Sequence, residues 1–233
     1  IADAVRSLDR SYLAVQGPPG TGKTTKGAEV IRRLVDDGWK VGVVSQSHRT
    51  IEAMLDQAIE AGLSPDRVGK LKGRGGDHGG RRLDDAGLLA AVTEPDVGFL
   101  VGGTKWDLVN ARRVPAGSLD LVVIDEAGQF ALADTIAVSQ AAPRLLLLGD
   151  PQQLPQVSQA VHPEPVATAA LAWLAQGHDT LPADLGYFLD TTYRMHPALC
   201  AVSSRLSYDG KLSAAGEAAR RRLEGVEPGV RTV

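Results

Sequence analysis

The residues GPPGTGKT, 17–24, combine three glycines and two prolines with a following Lys-Thr pair. Their spacing fits G-x-x-x-x-G-K-[ST]. Glycines let successive backbone N–H groups converge on phosphate oxygens, and a helix starting near Lys23 directs its positive dipole end to the same point. Lys23 would neutralise the β- and γ-phosphates, and the Thr24 hydroxyl would bind Mg²⁺. The stretch predicts a nucleoside triphosphate site; a plain glycine turn is the alternative.

An acidic pair ends the apolar run in LVVIDEAGQ, at Asp125 and Glu126. The carboxyl end of a buried strand is where α/β sheets bind ligands. Asp125 would bind Mg²⁺ through water, and Glu126 would orient and deprotonate an attacking water. The alternative is a solvated helix start, in which Glu126 interacts favourably with the helix dipole.

A third stretch, LLLLGDPQQLPQV, is a strand followed by a proline-bounded loop with Gln152 and Gln153. A side-chain amide can donate to a phosphate oxygen while it accepts from water. The loop therefore suits a sensor of nucleotide state. An ordinary turn is equally compatible with the composition.

Four stretches, GPPGTGKT, DEAGQ, GDPQQLPQV and TTYRMHP, resemble motifs I to IV of superfamily 1 helicases, in the same order. The closest subgroup includes the helicase of nonsense-mediated mRNA decay and the helicase–nucleases of replication and repair. The resemblance covers about residues 11–212. It implies an ATP-dependent helicase or translocase, with ATP and Mg²⁺ as cofactors, moving 5′-to-3′ on single-stranded nucleic acid. DNA is the expected strand, although the residues do not separate DNA from RNA.

The alternative function is a regulatory P-loop ATPase or switch that does not act on nucleic acid. Both functions use the same nucleotide site. Stimulation of ATP hydrolysis by single strands would separate them.

The resemblance also implies roles for individual residues. Gln153 would contact the γ-phosphate, Tyr193 would stack on the base, and Arg194 would reach the γ-phosphate from a second lobe. A surface ion pair beside a buried ring is the alternative for the last two. The implied catalytic residues are Lys23, Glu126, Gln153 and Arg194, and the implied metal ligands are Thr24 and Asp125. The implied ATP-binding residues are Gly17, Pro18, Pro19, Gly20, Thr21, Gly22, Lys23, Thr24, Thr25 and Tyr193.

Two further stretches, VVSQSHRT and GGTKWDLV, lie where superfamily 1 helicases place motifs that bind the strand backbone. Their small polar and cationic groups suit phosphate and sugar contacts. The predicted nucleic-acid-binding residues are Gln46, Ser47, His48, Thr104 and Lys105. Ser47 and Thr104 are also candidate helix caps. Trp106 is either a base-stacking ring or a buried anchor.

Apolar strand-like runs alternate with helical stretches, which predicts a parallel sheet covered by helices. The expected strands are SYLAVQ, WKVGVVSQ, VGFLVGGT, LDLVVIDEA and RLLLLGD. The expected early helices are Lys23–Asp37 and Thr50–Ala61. We expect an α/β fold, with a RecA-like P-loop lobe in residues 1–180 and the truncated start of a second RecA-like lobe in residues 181–233.

A basic, glycine-rich segment, GKLKGRGGDHGGRRLDD, interrupts this pattern near residues 70–95. Its glycines disfavour regular structure and its charges favour water. We therefore expect an insertion outside the sheet, either a solvated loop or a phosphate-binding arm that includes Lys70, Lys72, Arg74, Arg81 and Arg82.

The whole-chain composition limits the remaining possibilities. The net charge is −3, so a nucleic-acid surface has to be local. A single cysteine excludes a disulfide framework within the chain. We see no signal peptide or spanning helix, and we expect a cytoplasmic protein without a membrane partner.

An attached nuclease or other domain outside the sequence is compatible with the resemblance. No second arginine contact to the γ-phosphate is expected within the chain.

Overall fold

The computed structural model describes residues 1–71, 75–154 and 162–221. Eight strands form one parallel sheet in the order β4-β3-β5-β2-β6-β7-β1-β8, and two short strands form a separate pair. The strands are β1 (Tyr12–Gln16), β2 (Lys40–Val44), β3 (Val68–Leu71), β4 (Arg81–Leu83), β5 (Phe99–Gly103), β6 (Leu121–Asp125), β7 (Leu145–Gly149), β8 (Gly186–Phe188), β9 (Thr191–Thr192) and β10 (Ser213–Ala214).

Helices cover both faces of this sheet. They are α1 (Ala2–Arg6), α2 (Lys23–Asp36), α3 (His48–Glu60), α4 (Asp85–Thr93), α5 (Lys105–Leu108), α6 (Leu132–Ser139), α7 (Ala170–Ala175) and α8 (Pro197–Ser207). Two short 3₁₀ helices, Pro65–Arg67 and Gly216–Arg220, complete the described elements. The predicted α/β architecture is confirmed.

The buried core lies in two layers, one on each face of the sheet. Alternate residues of β6 belong to different layers, because successive side chains of a strand point to opposite faces. Leu121 and Val123 pack with residues of α2 and α3, whereas Val122 and Ile124 pack with Phe130 and its neighbours. A strand that is buried on both faces has to be apolar throughout, which explains its uninterrupted aliphatic run.

The five strands expected from apolar runs are all present, as β1, β2, β5, β6 and β7. The helix expected at Thr50–Ala61 begins two residues earlier, at His48. The Ser47 hydroxyl accepts a hydrogen bond from the Thr50 N–H at 3.1 Å and so defines the N-terminus of α3.

The glycine-rich segment does not lie wholly outside the sheet, and that expectation is wrong at both of its ends. β3 pairs with β5, and β4 pairs with β3, which extends the sheet to its edge. Gly69 permits this packing, since a Cβ there would lie 3.0 Å from the Phe99 ring. Lys72 and Arg74 lie outside the described residues.

Lys70 is buried rather than solvated. It is 3% exposed and forms an ion pair with Glu52 of α3, which is 8% exposed. Removing one member of a buried ion pair leaves the other charge desolvated without compensation. The pair therefore ties the glycine-rich segment to the helix that follows β2.

The small pair of β9 and β10 packs with α8 around a separate cluster of Cys200, Tyr208 and Leu212. β8 is the edge strand of the main sheet beside β1, and its Phe188 packs against this cluster. The boundary expected between residues 180 and 181 stays a prediction. Among the described helices, none combines the length and the apolar character that a membrane crossing requires.

Glu52→Gln is expected to lower the free energy of unfolding by about 3 kcal/mol, because the buried Lys70 ammonium loses the opposite charge of the Glu52 carboxylate. Urea denaturation measures the change. The control is Glu29→Gln, which removes the same charge from an exposed ion pair with Arg33 and should cost less than about 0.5 kcal/mol. Equal losses in the two variants would contradict the structural role of the buried pair.

Candidate functional site

The loop between β1 and α2 folds as a phosphate-binding loop. Gly20 and Gly22 have φ values of 78° and 77°, in the left-handed region that glycine tolerates best. The Gly17 N–H donates to the Gly149 carbonyl at 2.8 Å, which fixes the loop to the end of β7. Lys23 begins α2, and its ammonium donates to the Gly17 carbonyl. The loop therefore wraps around the Lys23 ammonium at the positive end of the helix dipole.

A cavity of about 560 Å³ lies over this loop. It is bordered on one side by the loop and on the other by the chain that follows β9. The lining residues are Pro19, Gly20, Thr21, Gly22, Lys23, Thr24, Thr25, Glu126, Gln153, Tyr193, Arg194 and Arg221. The structure thus brings together residues that are separated by about 200 positions in the sequence. Gly17, Pro18 and Asp125 lie beside the cavity rather than in its lining.

The acidic pair divides between the sheet and the cavity. Asp125 is the last residue of β6 and is 2% exposed. Glu126 has a φ of 60°, and its N–H donates to the Asp125 carboxylate at 3.0 Å. This left-handed turn lets Glu126 line the cavity while Asp125 stays at the buried strand end. The solvated helix start considered from the sequence is absent, because the next described helix begins at Leu132.

Acidic and cationic groups lie close together at this site and shift the pKa of Lys23 in opposite directions. Burial lowers the pKa of Lys23, while the charges of Asp150, Glu126 and Asp125 oppose this effect and that of Arg194 adds to it. An anionic ligand between Lys23 and Arg194 would stabilise both cations.

Burial also raises the pKa of Asp125 to about 6, together with the neighbouring Glu126 charge; the Glu126 N–H and Lys23 act in the opposite direction. A divalent cation would relieve this cost. Asp125 and the Thr24 hydroxyl supply oxygen ligands of the kind that Mg²⁺ prefers. The donor set therefore fits Mg²⁺ at the loop.

The segment after β9 is attached directly to the phosphate-binding loop. The Tyr193 N–H donates to the Gly20 carbonyl at 2.8 Å, and the Thr192 hydroxyl donates to the Pro19 carbonyl at 2.8 Å. A Cβ added at Gly20 would overlap the Cβ of Arg194. Tyr193 and Arg194 are thus held at the cavity by backbone contacts and not by a surface ion pair. Tyr193 leaves 48% of its surface exposed, so its ring is open to a ligand.

Of the two glutamines after β7, Gln153 lines the cavity and Gln152 does not. The Gln153 amide lies 3.4 Å from the Asp150 carboxylate. The Gln152 amide instead donates to the Asp179 carbonyl at 3.2 Å. The structure therefore places only Gln153 at the cavity, a difference that the amino-acid composition does not predict.

Arg221 is a cavity residue that the sequence did not indicate. Its guanidinium donates to the Tyr193 carbonyl at 2.8 Å, and it lines the cavity together with Arg194. The run of three arginines at 220–222 carries no spacing signal and resembles a charged helix end. Arg221 is therefore a second arginine in the cavity lining, while the expectation that the chain supplies no second arginine contact to the γ-phosphate stays a prediction.

At the carboxyl end of β2, two of the three predicted nucleic-acid-binding residues, Gln46 and Ser47, already have local partners. Ser47 caps α3. The Gln46 amide donates to the Gln129 carbonyl at 3.3 Å. The His48 Nδ1 is buried and has no hydrogen-bond partner among the described residues. The helix-cap alternative for Ser47 is correct, and a cap at an exposed N-terminus does not prevent nucleic-acid contact.

At the carboxyl end of β5, Thr104 caps α5. Its N–H and hydroxyl both donate to the Asp107 carboxylate, at 2.9 and 2.8 Å. Lys105 forms a 2.5 Å ion pair with Asp134, and its ammonium lies 5.4 Å from the Trp106 ring centroid. Trp106 is 67% exposed, so it is not a buried anchor.

β2 and β5 are neighbouring parallel strands, so these two groups lie side by side on the edge of the sheet that the carboxyl ends of its strands form. Neither group lines the nucleotide cavity. The edge is thus a separate polar surface beside the site.

A glycine-rich loop between β1 and α2, with an acidic pair at the end of β6, defines a nucleotide-binding protein of the P-loop class. The chain belongs to the AAA domain family, whose model matches residues 1–176. The chain's relatives among curated proteins confirm its resemblance to superfamily 1 helicases.

Among curated proteins, the chain is 24% identical over 223 residues to the Xenopus laevis DNA replication ATP-dependent helicase/nuclease DNA2, covering 90% of the chain and 20% of that protein. It is 24% identical over 280 residues to the Mus musculus DNA-binding protein SMUBP-2, covering 96% of the chain and 28% of that protein. The chain therefore spans less than a third of either relative.

Among solved structures, the chain resembles the helicase nonstructural protein 10 of an Arterivirus, with a TM-score of 0.55 and 16% identity. The match covers 88% of the chain and 40% of the viral protein. A structure of that helicase with DNA gives a TM-score of 0.52 at 17% identity, covering 88% and 41%. At this identity the likeness shows a shared fold.

Gly20→Ala is expected to lower the free energy of unfolding by about 3 kcal/mol, through left-handed strain and displacement of the Arg194 segment. Gly22→Ala is a matched control, since its φ is nearly the same but a Cβ there meets nothing within 4 Å. The control should lose only about 1 kcal/mol. Urea denaturation without nucleotide measures both, and equal losses would refute the close approach.

Proposed function

We propose that the chain is the ATP-binding and hydrolysing part of a helicase that moves on single-stranded nucleic acid. The observation that carries this proposal is the shared cavity, in which Tyr193 and Arg194 face the phosphate-binding loop across one space. If the phosphate-binding loop and the segment with Tyr193 and Arg194 contact the same nucleotide, ATP binding favours the conformation in which they lie close together. Hydrolysis then removes that preference and lets them separate. A motor needs such a coupling between nucleotide state and movement.

In this proposal ATP binds with its phosphates over the loop and its base against Tyr193. The loop N–H groups and Lys23 hold the phosphates, and Arg194 contacts the γ-phosphate from the opposite side. The exposed Tyr193 ring offers a π face to the base. The proposed ATP-binding residues are the ten expected from the sequence: Gly17, Pro18, Pro19, Gly20, Thr21, Gly22, Lys23, Thr24, Thr25 and Tyr193.

Hydrolysis is assigned to Glu126, which lines the cavity as a carboxylate able to orient and deprotonate water. Thr24 and Asp125 would hold Mg²⁺, which would neutralise phosphate charge when bound. Gln153 lies in the same lining, where its amide can report the presence of the γ-phosphate.

The single strand is assigned to the edge formed by the carboxyl ends of β2 and β5. Gln46, Ser47, His48, Thr104 and Lys105 lie there, and the exposed Trp106 ring beside them suits stacking on a base. The relatives named for DNA replication and DNA binding favour DNA as the strand. Movement in the 5′-to-3′ direction is part of the proposal and rests on the resemblance.

The domain organisation belongs to the same proposal. A first RecA-like lobe occupies residues 1–180, and the second begins after it, with α8, β9 and β10 around Cys200, Tyr208 and Leu212. An attached nuclease remains compatible with the DNA2 relative. A cytoplasmic location stays a prediction.

ATP hydrolysis by the full-length protein, with and without single-stranded DNA and RNA, tests the function. We expect strong stimulation by DNA, and a loss of at least about 100-fold in Glu126→Gln because the water loses its base. Glu60→Gln, an exposed change at the end of α3, is the control and should behave like the wild type. Hydrolysis that is indifferent to both polymers would contradict the helicase and support the regulatory ATPase.

Arg221→Ala is expected to weaken ATP binding about tenfold, because a cavity cation and the hydrogen bond to the Tyr193 carbonyl are both lost. Arg220→Ala removes the same charge from a neighbouring position outside the cavity lining and should change affinity less than about twofold. Titration with a fluorescent ATP analogue measures both. If the two variants bind equally well, Arg221 has no specific role in the site.

A further inference from the structure

The Tyr208 hydroxyl makes a buried contact that none of the motif roles accounts for. Tyr208 follows α8 and is 5% exposed, packed among Cys200 and Leu212, with the Phe188 ring centroid 6.1 Å from its own. Its hydroxyl donates to the Asp150 carboxylate at 2.8 Å. Burial and the Asp150 acceptor hold the pKa of Tyr208 far above its usual value, so the hydroxyl remains a donor. A buried side chain thus links the small cluster to the end of β7.

Asp150 is itself placed next to the chemistry. It is 1% exposed, and the carboxylate oxygen that accepts from Tyr208 also lies 3.4 Å from the Gln153 amide nitrogen. Its other oxygen accepts from the Gln152 N–H at 3.2 Å. Among the charges near Lys23, that of Asp150 contributes most to keeping the ammonium protonated. One carboxylate therefore interacts with Tyr208, with the Gln153 loop and with Lys23.

We propose that Tyr208 is a positioning residue for ATP hydrolysis, which acts through Asp150 to hold Gln153 in the cavity. Tyr208 lies on the same stretch of chain as Arg194, with α8 between them. The hydrogen bond therefore sets the position of the Gln153 loop relative to the segment that carries Arg194. This inference rests on the proposed function, since it assigns a role in the same hydrolysis.

A purely structural role is the competing explanation, because a buried hydroxyl needs a partner in any case. The two explanations differ in kinetics. Loss of packing or stability would act on Gln153 and on unrelated residues alike. A positioning role acts only through Gln153, so its effect disappears once the Gln153 amide has been removed.

Tyr208→Phe keeps the ring and removes only the hydroxyl. We expect kcat for ATP hydrolysis to fall about tenfold, since a hydrogen bond to a charged group is lost and the Asp150–Gln153 arrangement loosens. We expect KM for ATP to change less than about twofold, because Tyr208 does not line the cavity. Tyr187→Phe is the matched control: Tyr187 lies in β8 and is 44% exposed, and its variant should retain wild-type kinetics.

The decisive experiment is a double-mutant cycle in the full-length protein, measured as basal ATP hydrolysis without polymer. The variants are Tyr208→Phe, Gln153→Ala and the double variant. We expect the double variant to be no slower than Gln153→Ala alone, within about twofold. A wild-type kcat in Tyr208→Phe, or a double variant whose loss is the product of the two single losses, would overturn the proposal.

If Tyr208→Phe is unfolded at the assay temperature, the cycle is repeated at a lower temperature at which circular dichroism shows that this variant is folded. Its loss in kcat should likewise vanish in the Gln153→Ala background, and independent losses would again overturn the proposal. Parallel reactions with single-stranded DNA test the helicase function separately. Absent stimulation in the wild type would refute the helicase function, whereas the basal cycle would still decide the role of Tyr208.

Discussion

The arrangement of the site depends on the close approach between the glycine-rich loop and the segment that follows β9. The Gly20 carbonyl accepts from the Tyr193 N–H, and the absence of a side chain at Gly20 makes room for Arg194. Without this contact, the cavity would be an open groove bordered only by the loop, Glu126 and Gln153. Because of it, a phosphate on the loop would have cations on both sides, which is the condition for nucleotide binding to influence both parts of the chain.

The sheet supplies the second requirement, since its strands are parallel and buried on both faces. The carboxyl ends of the strands lie along one edge of the sheet. Polar side chains that follow the strands there lie at the boundary of the apolar core and can contact a ligand. Asp125 shows the cost of this arrangement, because burial raises its pKa to about 6. Sites that bind charged ligands commonly contain such unfavourable charges, which the ligand then stabilises. The burial that raises the pKa of Asp125 thus also favours a cation at this carboxylate.

Most of the fold and the loop half of the cavity could be predicted from local patterns. Aliphatic runs predicted β1, β2, β5, β6 and β7, because a strand that is buried on both faces needs apolar side chains at nearly every position. β3 and β4 were missed, since they are short, rich in glycine and basic residues, and stabilised by pairing with distant chain. Arg221 and the Tyr208–Asp150 contact were missed for a related reason. Each depends on a hydrogen bond between residues that the tertiary fold brings together, 28 and 58 positions apart, for which spacing carries no signal.

The most direct test of the account is a crystal structure of the full-length protein with Mg²⁺ and a non-hydrolysable ATP analogue. The account predicts the triphosphate between the Lys23 ammonium and the Arg194 guanidinium, with the base against the Tyr193 ring and Glu126 facing the γ-phosphate. A nucleotide bound elsewhere, or bound on the loop with Arg194 and Tyr193 turned away from it, would contradict the shared cavity as the nucleotide site.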